Sequence, residues 1–401
     1  MFAALSQYMK SLKYTSLAQS SDASDGSTTR LQIHTFRFFN SRRLVILAAT
    51  ILFVLLLASF HFASPNGLPS VSQGWPSGPE HQNVTSDVDW SRFAYTQYAT
   101  NTKYLCNSIM LFEILHRLGS KADRLLMYPS GFKISSPGSD GESKESLLLR
   151  KARDEYHVKL SPIEVVQRSS NDRKLPGVSG DKNNELLLIE GEATWAESYT
   201  KLLAFNQTQY HRVLNLDSDS TVLQTMDELF LLPPVPLALP RAYWLPFDDR
   251  VMSSQVLLIQ PSKFEFDRNL KAIETAGSSD YDMEIVNNLY RDNAMILPHR
   301  PYDMLTGEYR NTGVHKNYMG SEEEPFDPEK ALKEAKFLHF SDWPVPKPWT
   351  PPTREILEQK KPECIKEKRT NATDCRQQQM WLGFYSDFAR RRKAILLLNI
   401  Q

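Results

Sequence analysis

The chain is 401 residues long, and its 47 lysines and arginines balance 47 aspartates and glutamates, so the formal net charge is zero. That balance argues against a nucleic-acid binder, and three cysteines are too few for a disulfide scaffold. Hydrophobic residues make up 41% and no short repeat is present, which excludes collagen, coiled coil and wholesale disorder and leaves room for a large core.

Residues 1–43 include SSDASDGSTT and read as a polar, disordered tail. Residues 44–63, LVILAATILFVLLLASFHFA, have only Thr50, Ser59 and His61 outside the apolar and aromatic types and carry no charge. As a helix they span about 30 Å, the thickness of a bilayer's hydrocarbon core. A cleaved signal peptide would hold a shorter apolar stretch near the N-terminus, and a buried soluble helix would show a polar face. Lys10, Lys13, Arg30, Arg37, Arg42 and Arg43 outweigh Asp22 and Asp25 before the span, and residues 64–91 contain no lysine or arginine. The expectation is a single-pass signal anchor with a cytosolic N-terminus and the rest of the chain in the secretory lumen. Residues 64–92, rich in Pro, Gly and Ser, read as a stem. Sequons begin at Asn83, Asn206 and Asn371; Asn206 falls in a segment expected to be a packed helix, which disfavours its glycosylation. In an oxidising lumen Cys364 and Cys375 can close a small disulfide, leaving Cys106 as a buried apolar residue on a helix.

The globular part is expected over 93–360, with a C-terminal extension over 361–401. FAYTQYAT (93–100) reads as a strand, and 101–119 has apolar residues at helical spacing ending on Gly119. ADRLLMYP (122–129) is a second strand, 133–146 a polar loop, LLLRKARDEY (147–156) a helix, and VKLSPIEVVQ (158–167) a strand. ATWAESYTKLLAFNQTQ (193–209) reads as helix, and HRVLNLDSDSTVL (211–223) as a strand running into a turn. The closing ARRRKAILLLN suggests an amphipathic helix. Alternating strands and helices predict an α/β domain with a mostly parallel sheet, whose ligands bind beyond the carboxyl ends of the strands.

Three Asp-x-Asp patterns occur, at 87–89, 217–219 and 280–282; only Asp217-Ser-Asp219 directly follows an apolar strand. In extended backbone, residues i and i+2 face one side, so both carboxylates can converge on one cation. The competing reading is a solvated acidic turn. Far downstream, FLHFSDWPVPKPW (337–349) offers His339 as an imidazole ligand and Lys347 between stiffening prolines. Two carboxylates and one imidazole suit Mn²⁺ with positions left for phosphate oxygens, and Lys347 can neutralise the same phosphates. The bland alternative is a proline-rich surface loop with an incidental histidine. Tyr243, Trp244, Trp343 and Trp349 can stack a sugar or belong to the core, and Asp248 and Asp249 can bind hydroxyls or solvate a loop.

Asp217-Ser218-Asp219 after VLNL, together with His339 and Lys347-Pro348-Trp349, resembles the family 8 glycosyltransferases, the group containing glycogenin. AESYTKLLAFNQTQYHRVLNLDSDSTVL, MSSQVLLIQPS and YDMEIVNNLY look like its fungal Golgi N-acetylglucosaminyltransferase branch, with similarity over about 93–355. The resemblance implies a GT-A, Rossmann-like nucleotide-diphospho-sugar transferase domain on a type II Golgi membrane protein. It also implies a UDP-sugar donor, a glycan or glycoprotein acceptor, and transfer with retention of anomeric configuration. By position it makes Asp217, Asp219 and His339 the metal ligands, and places Thr100, Asn101 and Tyr104 at the uracil and ribose. Lys347 matches the lysine on the donor diphosphate, Lys201 a lysine near the donor sugar, and Asp282 the aspartate facing the transferred sugar and the acceptor. The family's glutamine after that aspartate is Met283 here, and the usual H-x-x-G-x-x-K-P-W is two residues longer and lacks its glycine. UDP-GlcNAc is the branch-level donor, with UDP-glucose or UDP-galactose as alternatives. A catalytically silent glycan binder is the rival from another class, and a metal-dependent phosphatase or nuclease is disfavoured because no further Asp/His ligands cluster.

Overall fold

The computed structural model describes residues 88–139, 141–166, 197–277, 280–366 and 372–397. Among them no helix is long and apolar enough to cross a membrane. The expected anchor at 44–63 lies outside the described residues, as do the tail, the stem up to residue 87, and the sequons at Asn83 and Asn371.

The first half alternates strand and helix as expected. Phe93–Tyr98 forms β1, Thr102–Arg117 α1, Asp123–Pro129 β2, Lys144–Tyr156 α2 and Val158–Ile163 β3. The α1 helix starts where the Asn101 side chain accepts from the backbone N–H groups of Lys103 and Tyr104, a cap worth about 1 kcal/mol. It ends at Gly119, whose φ of 71° is left-handed and open to glycine at no steric cost. The α2 helix begins three residues earlier than its apolar run, because Ser143 caps it by accepting from Ser146 N–H.

The helix expected over 193–209 forms over Ser198–Asn206 and winds as a 3₁₀ helix, with 193–196 outside the described residues. A three-residue repeat lines up side chains at i and i+3, which puts Ser198 and Lys201 along one edge. Asn206, at its end, is exposed rather than packed, so burial gives no argument against its sequon.

Arg212–Leu216 forms β4, Ser220–Val222 β5, Leu237–Pro240 β6 and Val256–Ile259 β7; Lys263–Glu274 is α3, Asp282–Tyr290 α4 and Met295–Leu297 β8. The main sheet runs β3-β2-β1-β4-β7-β6-β8. Its first four strands are parallel, β7 is antiparallel to both neighbours, and β8 is parallel to β6. The expected α/β class with a mostly parallel sheet is what forms. Central strands β1 and β4 are buried throughout save for Tyr98, and their polar side chains bond across the ladder: Asn215 Nδ2 donates to Thr96 Oγ1 at 3.0 Å.

A second, three-stranded sheet orders β5 beside β10 (Phe337–His339), which pairs in turn with β9 (Met304–Leu305). It packs on a separate core containing Tyr243, Tyr309, Tyr318, Leu338 and Trp381. Trp381 belongs to the last helix, α5 (Arg376–Leu397), which extends the expected amphipathic tail helix. The expected disulfide joins Cys364 to Cys375, and Cys106 is buried and free.

Candidate active site

The site forms where the two sheets meet. The β4 strand delivers Asp217, whose N–H donates to the Gln255 carbonyl at 3.0 Å, just before β7. Three residues later β5 begins, and its antiparallel pairing with β10 sets His339 opposite Ser220. Phe340 N–H extends that ladder by donating to the Asp219 carbonyl at 2.9 Å. The register therefore carries His339 to Asp219 across 120 residues of sequence. His339 Nε2 lies 3.0 Å from Asp219 Oδ1 and 3.9 Å from Asp217 Oδ2. One ligand atom from each of Asp217, Asp219 and His339 falls within 4.8 Å of the other two. Lys347, at the far end of the loop that follows β10, lies 2.5 Å from Asp219 Oδ2 and donates to the Phe340 carbonyl at 3.0 Å. The two extra residues in this loop leave Lys347 in reach of the acids.

Behind the acids stands Lys201, with its side chain only 3% exposed. Its ammonium lies 2.7 Å from Asp217 Oδ1 and 2.6 Å from Asp282 Oδ2, and it donates to the Ser254 carbonyl at 3.0 Å. Asp282 opens α4, and its N–H donates to Ser198 Oγ at 3.4 Å. The aligned edge of the 3₁₀ helix thus meets the start of α4 twice.

Burial pushes the Asp217 carboxyl above its ordinary range; Lys201 offsets this in part and the Asp219 charge adds to it. Burial acts the same way on Asp219, but His339 and Lys347 override it and hold that carboxyl well below the usual range. Burial opposes the Lys201 charge too, yet Asp217 and Asp282 raise its pKa well above the ordinary value. Burial likewise raises the Tyr98 hydroxyl, within the fields of Lys201, Asp217 and Asp282, which places the end of β1 beside the same charges.

The structure brings Asp217, Asp219, His339, Lys347, Lys201 and Asp282 together. Thr100 and Asn101 lie on the turn from β1 to α1, and Tyr104 in the first turn of α1. The Asn101 side-chain oxygen is committed to capping α1, while the Tyr104 ring meets Trp349 edge-on at 5.3 Å. Met283 follows Asp282 in α4 with a half-buried side chain. Of the four aromatics considered for sugar stacking, Tyr243 is fully buried, Trp349 packs on Tyr104 and Phe388, and Trp343 is 58% exposed. Asp248 and Asp249 are exposed on a single 3₁₀ turn, Phe247–Asp249. Among the buried carboxyls that escaped the sequence reading, two adjoin the elements of the site. Asp342 sits within the His339–Lys347 loop and Asp303 just before β9, neither with appreciable exposure. Each interrupts an apolar or aromatic run, the one signal the sequence offers.

An Asp, Asp, His donor set of carboxylate oxygens and an imidazole nitrogen, gathered at this spacing, fits a divalent cation.

No family model matches the chain. A protein of Gibberella zeae named glucose N-acetyltransferase 1 is 53% identical over 311 residues, 77% of this chain; the match spans 63% of that relative, so this chain corresponds to less than two thirds of it. The protein of the same name in Aspergillus fumigatus is 43% identical over 317 residues, 76% of this chain and 77% of the relative. Among solved structures, the glycosyltransferase GlyE of Streptococcus pneumoniae aligns over 76% of this chain and 62% of its own at 16% identity, with a TM-score of 0.45. That likeness is too loose to bear on any residue. The relatives agree with the resemblance carried by the motifs, and the chain belongs to the glucose N-acetyltransferase 1 family of transferases.

Proposed function

We propose that the chain is a UDP-sugar-dependent glycosyltransferase of the GT-A kind. It transfers N-acetylglucosamine from UDP-GlcNAc to a glycan or glycoprotein acceptor with retention of configuration, using Mn²⁺. The observation that carries this is the meeting of Asp217, Asp219 and His339 from two separate sheets, with Lys347 on the same carboxylate. A silent relative would have no need of that convergence. The name of the relatives joins glucose to an N-acetyl group, which supports an N-acetylated hexose over plain glucose or galactose.

Asp217, Asp219 and His339 would hold the cation, which supplies Lewis-acid stabilisation of the departing diphosphate. The chain's own groups do the rest. Lys347 brings a positive charge to the edge of the triad, where phosphate oxygens gain most from it. Lys201 fixes the carboxylates of Asp217 and Asp282 relative to one another, so the metal side and the sugar side of the site keep one geometry. Asp282 is held from two directions, by Lys201 and through its N–H by Ser198, as suits a group that faces the transferred sugar.

In the cell the chain works as a single-pass type II Golgi membrane protein. Residues 44–63 form the anchor, and the charge asymmetry around them supports a luminal domain.

The test is a donor screen of the purified protein with Mn²⁺ and UDP-GlcNAc, UDP-glucose or UDP-galactose, with Asp219→Ala beside it. UDP-GlcNAc should be consumed, and the variant should lose about 10²- to 10³-fold in rate. Turnover of none of the donors, with wild type and variant alike, overturns the proposal.

A further inference from the structure

One face of α5 touches three elements, each of which holds part of the site. Tyr385 donates to Asp342 Oδ2 at 2.9 Å. Asp342 lies buried in the middle of the His339–Lys347 loop, where it also accepts from Thr306 Oγ1 and has the Arg310 guanidinium at 3.6 Å. Phe340, the residue after His339, sits edge-on to Tyr385 and Phe388 at 5.3 and 5.1 Å. Trp349, two residues after Lys347, lies 6.5 Å from Phe388 and is the ring that meets Tyr104. One turn further, Arg391 donates to Thr221 Oγ1 on β5 at 3.0 Å and to the Met110 carbonyl on α1 at 3.1 Å. Arg392 donates to the Lys103 carbonyl at 3.1 Å and to the Asn107 carboxamide oxygen. Positions 381, 385, 388, 391 and 392 recur at helical spacing, so one stripe makes every contact.

These contacts differ from ordinary helix docking. Trp381 fills the second core with no exposed surface, which is enough to seat the helix. The Tyr385 hydroxyl and the Phe388 ring instead touch the loop that brings His339 and Lys347 to Asp219, at Asp342, Phe340 and Trp349. The two arginines tie the same helix to β5, which follows Asp219, and to the first turns of α1.

We infer that α5 is a positioning element of the donor site. Tyr385 and Phe388 set the 340–349 loop, and through it the His339 imidazole and the Lys347 ammonium, against Asp219 and against Asp217, which the main sheet holds through Gln255 and Lys201. This deepens the proposed function and rests on it for the identity of what the loop holds. Tyr385 touches no reacting atom and is not a catalytic residue.

The test compares the full chain with Tyr385→Phe, which removes one hydroxyl, and Phe388→Leu, which removes a ring but keeps an apolar group. Arg390→Ala, an exposed position on the same helix, serves as control. Amide hydrogen exchange of 340–349 should quicken in Tyr385→Phe and Phe388→Leu and stay at the wild-type rate in the control. Calorimetric affinity for UDP with Mn²⁺ should fall about tenfold, the lower end of what losing an outer-shell partner produces. Donor KM should rise while kcat holds, a split that general loosening of the fold would not give. Unchanged exchange of the loop in both variants overturns the inference, and so does a fall in kcat at constant KM. If wild type binds no UDP with Mn²⁺, the transferase reading fails, while loop exchange still decides for or against α5.

Discussion

The two halves of the site are held by different means. Asp217 leaves a strand buried in the middle of a seven-stranded sheet, and its far oxygen is tied to a lysine with almost no exposure. His339 and Lys347 flank a loop on a three-stranded sheet, and Lys347 is 36% exposed on its side chain. Asp217 is thus part of the core's own architecture, whereas the imidazole and the ammonium reach it and Asp219 through one ladder register and a set of aromatic and tyrosine contacts. A site built this way can keep Asp217 rigid while the side that greets the diphosphate is adjusted from outside the main sheet.

The largest effect expected from breaking this contrast is on the rigid side. Lys201→Met removes the only ammonium shared by Asp217 and Asp282 among the described residues and leaves two buried carboxylates without it. Taking one partner from a buried ion pair costs about 3–5 kcal/mol, so urea unfolding of this variant should show a loss of that size together with lost activity. A variant as stable as wild type would mean that the acids do not depend on Lys201.

On the loop side the balance reverses. His339→Ala should weaken Mn²⁺ binding by more than about tenfold, the scale at which even an outer-shell partner is felt. Its unfolding free energy should move less than that of Lys201→Met, because β10 keeps its backbone pairing to β5 and β9. Isothermal titration with Mn²⁺ and urea melts of both variants measure the two axes. Equal stability losses would erase the distinction between the sides.

That contrast was only half visible in the sequence. Asp217 and Asp219 could be found because an apolar strand, VLNL, runs straight into them, and residues so placed lie at a sheet's carboxyl edge. His339 and Lys347 could be singled out as an imidazole and an ammonium on a proline-stiffened segment, but joining them to the acids rested on the family resemblance, since nothing local reveals that β10 pairs with β5 across 115 or more residues. The 3₁₀ geometry of Ser198–Asn206 was illegible for another reason. Seven of its nine residues are buried, and a segment covered on nearly all sides has no polar face whose period would distinguish three residues per turn from 3.6. The contribution of α5 was hidden as well, because a basic, mixed-polarity tail helix looks the same whether its arginines face water or carbonyl groups.

The smallest expected effect concerns Asp303, at the seam between the two halves. Its carboxyl is fully buried, and burial pushes its pKa well above the ordinary range, with Ser253 and Lys201 opposing and Asp217 adding to the shift. In the unfolded chain the group titrates near its usual value of about 3.9. Above that pH the unfolded state releases a proton that the folded state keeps, so wild type loses stability as pH rises toward the folded-state pKa. The slope for one group is about 1.4 kcal/mol per pH unit. Asp303→Asn has no such proton to lose. The difference in unfolding free energy between variant and wild type should therefore shift in the variant's favour as pH rises above about 4 toward the folded-state pKa, with a limiting slope of roughly 1.4 kcal/mol per unit. Urea melts at a few pH values measure it. A gap that stays constant over this range would mean that Asp303 is ionised in the fold, and that the seam holds a second buried charge in place of a neutral carboxyl.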